Sequence, residues 1–250
     1  IKTAFLAFTY GTNGIPVPTG KEYCVNVYAN WKSDWSDYTI DYDFMKSKID
    51  QAKAEGAEAI VVSMHWGIEY QTKENKEQDT LADFLIKNDV NVILGCHPHV
   101  LQPMEMRTVK LDDGTEKTGF VIFSMGNFFS AQTYENTRNT LILDVTIRKN
   151  GKTGEITIDQ ATYTPIYVYD NGINAKDRYE LLDLEAIISD YESGSTTWSK
   201  TMYNLAITEK ARIEKIVGPE IFNNKTESED SDTTLETNTN SVDSNTVKAN

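Results

Sequence analysis

The sequence predicts an α/β protein, and three observations carry that prediction. Between residues 41 and 94, amphipathic helical patterns alternate with apolar runs too short to be helices. Beyond them come two β-hairpin signals and two further helical patterns. All three histidines stand just past the short apolar runs, where parallel strands of an α/β sheet deliver their functional loops.

The elements follow in order. Residues 1–8 form an opening strand, ended by a loop rich in glycine and asparagine at 9–14. Pro16 and Pro18 turn the chain into a short strand near 22–28. An aromatic loop holding Trp31, Trp35 and Tyr38 comes next. These rings either offer a surface to a glycan or peptide chain or fold over their own core. Residues 41–55 put Met45, Ile49 and Ala52 on one helix face, and Gly56 stops that helix. Residues 59–64 are a buried strand, rich in β-branched side chains. Residues 77–88 form a helix with Leu81, Phe84 and Leu85 on one face, and 90–94 are the next buried strand. A hairpin at 103–125 turns at Asp112-Asp113-Gly114-Thr115, and a second at 140–167 turns through Asn150-Gly151. Helices at about 176–191 and 197–217 close the folded part.

The chain has 250 residues and a net charge of −14, enough length for one large domain, or two small ones, with a proper core. Residues 1–223 are expected to be that domain. Residues 224–250 contain no aromatic residue and six acids, and are expected to be a disordered polar, acidic tail. An acidic chain without a basic cluster excludes nucleic acid as a partner. No apolar run approaches the ~18 residues needed to span a bilayer. Two cysteines, Cys24 and Cys96, make no disulfide framework.

His65 follows one buried strand; His97 and His99 follow the next. If those strands are neighbours, the three imidazoles converge on one crevice, the His-x-His pair projecting to one side of an extended segment. Neutral imidazoles suit Zn, Fe, Mn or Ni, and carboxylates favour Mn or Fe. Glu69 lies four residues past His65, as a ligand, a partner to a ligand or a general acid–base. Asn127 either donates its amide to a phosphate or carboxylate or serves as a turn residue. Gln78, at a helix start, is accounted for by capping.

Four ordered motifs then carry a family resemblance. They are His65-Trp66-Gly67-Ile68-Glu69-Tyr70, Gln78-Asp79-Thr80-Leu81-Ala82, Gly95-Cys96-His97-Pro98-His99-Val100-Leu101-Gln102-Pro103, and Ser124-Met125-Gly126-Asn127-Phe128-Phe129. Over residues 1–167 the chain resembles the CapA family of bacterial capsule and poly-γ-glutamate biosynthesis proteins, a branch of the calcineurin-like metallophosphoesterases. The resemblance implies a layered sandwich of two mixed sheets flanked by helices, of which this chain holds the C-terminal part. It implies His65, His97 and His99 as ligands of a divalent metal (Mn, Fe or Zn); Glu69 and Asn127, from their own positions, are the catalytic candidates. Two functions follow from it. One is metal-dependent hydrolysis of a phosphoester. The other is non-catalytic binding or anchoring of an anionic polymer beside membrane-bound synthase subunits. The expected location is extracytoplasmic, through an N-terminal membrane anchor upstream of Ile1.

The chain departs from the pattern twice. Cys96 stands where the family usually has His, either as a soft ligand or as inert packing. The Gly-Asp and Asn-His-Asp/Glu motifs that bring the superfamily's first carboxylate ligands are absent. They are expected upstream or in another chain.

Overall fold

The computed structural model describes residues 1–34 and 36–222. Trp35 and residues 223–250, the expected tail among them, lie outside the described residues.

Strand β1 (Thr3–Thr9) runs parallel to β4 (Ala59–His65), β4 to β5 (Val92–Cys96), and β5 to β7 (Glu116–Ile122). β6 (Met104–Lys110) adds antiparallel to β7, giving a five-stranded sheet in the order β1-β4-β5-β7-β6. Helices α1 (Tyr42–Ala54) and α2 (Lys76–Lys87) are the crossovers. α1 starts where the Asp41 side chain accepts from the Phe44 N–H. α2 starts in a reciprocal box between Asn75 and Gln78, so the capping role of Gln78 holds.

A second sheet is built around the 15-residue strand β9 (Ile156–Asp170). β8 (Asn139–Lys149) pairs along one side of it. β10 (Tyr179–Asp183) and β11 (Ile221–Phe222) pair on the other, all antiparallel. Helices α3 (Leu184–Glu192) and α4 (Lys200–Val217) cover it. The layers follow from period-two alternation in the central strands. Ile60, Val62 and Met64 of β4 meet Met45, Ile49, Leu81 and Leu85 of α1 and α2. Val61, Val92, Phe120 and Ile122 point the other way, onto Leu141, Ile158, Ala161 and Tyr163 of the second sheet and the core of α3 and α4. The result is the layered α/β sandwich that the resemblance implies, two sheets face to face with helices outside.

The structure corrects the sequence reading in several places. The second sheet is antiparallel throughout rather than mixed: β8, β9 and β10 follow one another through hairpin-type turns, and β11 returns antiparallel to β9 after α3 and α4. The segment at 22–28 begins as a single turn, Glu22–Cys24, and no strand covers it; strands β2 (Ala29–Trp31) and β3 (Tyr38–Ile40) instead make a small ribbon. The ribbon carries Trp31 and Tyr38, rings 4.6 Å apart and packed on the first core. The first part of the helix expected at 176–191 is strand β10. The free edge at the end of β9 claims residues 179–183, and the Asp183 side chain then caps α3 by accepting from the Glu185 and Ala186 N–H groups. No helix among the described residues is long and apolar enough to cross a membrane.

Asp89, just past α2, ties the lower edge together. Lys53 of α1 and Lys117 of β7 both pair with its carboxylate. Burial alone would raise the Asp89 carboxyl; the charged hydrogen bonds from Lys117 and Lys53 outweigh that and hold it below its ordinary value. A depressed carboxylate stabilises the fold above its unfolded pKa, and the contribution is lost as pH falls through the folded value. Asp89→Asn keeps a residue tolerant of the local φ of +75°. It should lower stability by about 1 kcal/mol at neutral pH, because the pair is partly solvated. In urea melts the gap between the two proteins should narrow as pH falls below the ordinary Asp value of about 3.9 and close only below the depressed folded value. An undiminished gap there would assign the effect to something other than charge.

Candidate metal centre

The parallel strands β1, β4 and β5 end on one edge. Their register sets Thr9 beside His65 and His65 beside Cys96. Tyr10, His65 and His97 therefore emerge side by side. Ring centroids are 5.5 Å apart for Tyr10 and His65, 4.7 Å for His65 and His97, and 5.1 Å for Tyr10 and His97. Tyr10 Oη lies 3.3 Å from His97 Nε2. The sequence reading did not single out Tyr10. The signal was there: it directly follows the first parallel strand, as His97 follows the third.

His97 and His99 do not sit on an extended segment. Their φ angles are +99° and +62°, a left-handed backbone that non-glycine residues adopt at a cost on the order of 1 kcal/mol or more each. The two rings lie 6.1 Å apart because of this double turn, not through strand alternation. The turn is pinned from the neighbouring loop, where the Tyr70 N–H donates to the Pro98 carbonyl at 2.8 Å.

That neighbouring loop, residues 66–75, carries Glu69 and is held by buried polar groups. Trp66 is fully buried, and its Nε1–H donates to the Phe123 carbonyl at 2.9 Å. Gln102 is equally buried. Its Nε2 donates to the carbonyls of Gln71 and Lys73, each at 2.9 Å, and its Oε1 accepts from Gln78 Nε2 at 2.8 Å. Gln102→Leu would remove the acceptor of the buried Gln78 amide and the donor that holds the Gln71 and Lys73 carbonyls. It should cost about 3 kcal/mol in chemical denaturation and open the loop to proteolysis. A loss below about 1 kcal/mol would mean that water replaces the amide.

Glu69 is half-exposed, with Oε1 3.8 Å from His99 Nε2. One donor atom each from Glu69, His97 and His99 lie within 4.8 Å of one another. Ligands on a common ion with bonds of about 2.1 Å lie at most about 4.2 Å apart, so small side-chain adjustments close this set around a cation. Two imidazoles and a carboxylate suit Zn, Mn or Fe. Burial and the neighbouring His65, opposed by Glu69, push the His97 imidazolium down to about 4, which keeps the ring in its ligating neutral form. The donor set thus fits a divalent metal.

His65 touches His97 but stands outside that compact set; its Nδ1 is 3.6 Å from Cys96 Sγ. Burial, and next His99, lower the His65 imidazolium. Cys96 donates toward the Met64 carbonyl, and burial raises its thiol, which favours packing over ligation. Asn127 is placed with its Oδ1 2.8 Å from His99 Nδ1.

Fold and site together define a class: a layered α/β protein with a histidine–carboxylate cluster at its parallel strand ends. Residues 1–132 match the family described as bacterial capsule synthesis protein PGA_cap, and the chain belongs to that family. It is 32% identical over 105 residues to the capsule biosynthesis protein CapA of Bacillus anthracis, covering 42% of this chain and 23% of that protein. It is 35% identical over 123 residues to the PGA biosynthesis protein CapA of Bacillus subtilis (strain 168), covering 47% and 30%. The matched region thus spans less than a third of either relative. Among solved structures, the chain is loosely similar to the NAD nucleotidase of Haemophilus influenzae, at 12% identity and a TM-score of 0.33 over 72% of this chain and 32% of that one. A 5'-nucleotidase precursor from Thermus thermophilus gives 18% identity and 0.29, over 71% and 27%.

Proposed function

We propose that the chain holds one divalent cation on Glu69, His97 and His99, with His65 beside them. We propose further that this centre serves hydrolysis of a phosphoester or related anionic substrate in capsule or poly-γ-glutamate biosynthesis. The observation that carries this is the convergence of three donor atoms within 4.8 Å at the ends of parallel strands.

A bound divalent cation supplies Lewis-acid polarisation of a phosphoryl or carboxyl oxygen. The chain's own groups do the rest. His97 and His99 offer ring nitrogens. Glu69 supplies the negative charge of the donor set, its Oε1 facing His99 Nε2 at 3.8 Å. Tyr10 backs His97 through its hydroxyl. At −14 the chain repels polyanions over a Debye length of roughly 8 Å, so an anionic substrate needs a local positive centre to approach.

The location that suits this work is outside the cytoplasm, beside membrane-bound synthase subunits. Carboxylates for a second ion would come from other parts of a longer protein or from another chain. A second reading, non-catalytic retention of the polymer, is favoured by Phe128 and Phe129. They follow Asn127 and are 54% and 60% exposed.

The test is to load the protein with Mn²⁺, Fe²⁺ or Zn²⁺ and follow p-nitrophenyl phosphate hydrolysis and poly-γ-glutamate retention. Metal-dependent turnover that disappears in Glu69→Gln supports the hydrolase. Polymer retention without turnover moves the second reading ahead, and failure to take up any of the three metals removes the centre.

A further inference from the structure

We infer that Asn127 is a positioning residue that fixes the tautomer of His99 and aims its Nε2 lone pair at the space shared with Glu69. The inference rests on the metal-centre reading for its purpose but not for its geometry.

The Asn127 amide has two ends that differ in chemistry. Its Nδ2 faces the Thr137 carbonyl at 3.3 Å and Gln132 Oε1 at 2.8 Å. A backbone carbonyl only accepts, so the end facing Thr137 must be the NH₂ group. Thr137 is itself fully buried and held by its N–H and Oγ1, both donating to the Tyr134 carbonyl, so this reference point is rigid. The opposite end of the amide is therefore Oδ1, an acceptor, and it lies 2.8 Å from His99 Nδ1. An acceptor at that distance requires a proton on Nδ1. In the neutral ring, Nε2 is then the bare nitrogen, and it is the atom 3.8 Å from Glu69 Oε1.

Two consequences follow. A lone pair and a carboxylate face each other across a gap that a cation would bridge. And the Asn127 amide, engaged at both ends, is not free to bind a phosphate, as the sequence alone had allowed. A ligating histidine whose second nitrogen donates to a fixed carbonyl is a recurrent way to set ring orientation, and loss of such a partner weakens metal binding about 10- to 100-fold.

The experiment uses the full 250-residue chain. Two-bond ¹⁵N–¹H correlations on the metal-free wild type, at about pH 8 and so above the ordinary imidazole range, should show His99 protonated at Nδ1. Asn127→Leu should mix the tautomers and weaken Mn²⁺ or Zn²⁺ binding about 10- to 100-fold. Asn127→Asp retains an acceptor and should restore the Nδ1–H signature. A wild-type His99 protonated at Nε2 overturns the assignment without any variant having to fold. So does an Asn127→Leu protein with an unchanged tautomer. If the wild type shows the Nδ1–H tautomer yet binds no metal, the positioning stands and the metal reading alone fails.

Discussion

Gly95→Ala should unfold the protein or leave it insoluble, a severe outcome for the addition of one methyl group. A Cβ at position 95 would lie 1.9 Å from the Phe123 carbonyl oxygen, 2.4 Å from its carbon and 2.7 Å from Trp66 Nε1. The obstacle is backbone, so no rotamer change relieves it. Nor can that backbone retreat, because the Phe123 carbonyl receives the buried Trp66 N–H, and the Met125 N–H donates to the Gly95 carbonyl at 3.1 Å. Separating β5 from the chain past β7 would dismantle the strand edge that carries His97. The expected loss is at least about 4 kcal/mol, in the range reserved for severe core disruption and comparable with the whole stability of a marginal domain. Gly151→Ala is the control, since a Cβ there meets nothing within 4 Å and no positive φ is involved. Soluble expression and thermal melting of the two variants decide it. A Gly95→Ala protein melting within a few degrees of wild type would show that the sheet yields where the close contact says it cannot.

The second large effect concerns the metal centre. Wild type should take up about one divalent ion per chain, since three donors make one coordination set and no bridging carboxylate joins them among the described residues. His97→Ala or His99→Ala should each weaken that binding by more than about 100-fold, leaving two ligands of three. His65→Ala should have the smaller effect, because His65 stands outside the compact set and faces Cys96. Titration calorimetry with Zn²⁺ or Mn²⁺ separates the cases. Equal binding by wild type and all three variants would sink the site. A His65→Ala defect as large as that of His97→Ala would return His65 to the ligand set.

Much of this molecule was legible without coordinates, for reasons of local physics. The buried runs at β4 and β5, the helix faces of α1 and α2 and the two hairpins each announce themselves through periodicity, capping residues and turn chemistry acting over a few neighbours. Parallel strands share one functional edge, so three histidines past two such strands already implied a meeting place. The tertiary structure decided what depends on groups distant in sequence. β10 became a strand because β9 had a free edge to offer, which outweighed the helical pattern expected for residues 179–183. Tyr10 joined the site through the pairing of Thr9 with His65, a register set by the whole sheet. The left-handed turns at His97 and His99 are imposed by the chain around them, against their own preference. The orientation of Asn127 is decided by the Thr137 carbonyl, ten residues away and buried. The sequence by itself determined which residues are present at the strand ends. Only packing and long-range hydrogen bonding decided which of their atoms face one another, because those depend on register and buried partners that no local pattern encodes.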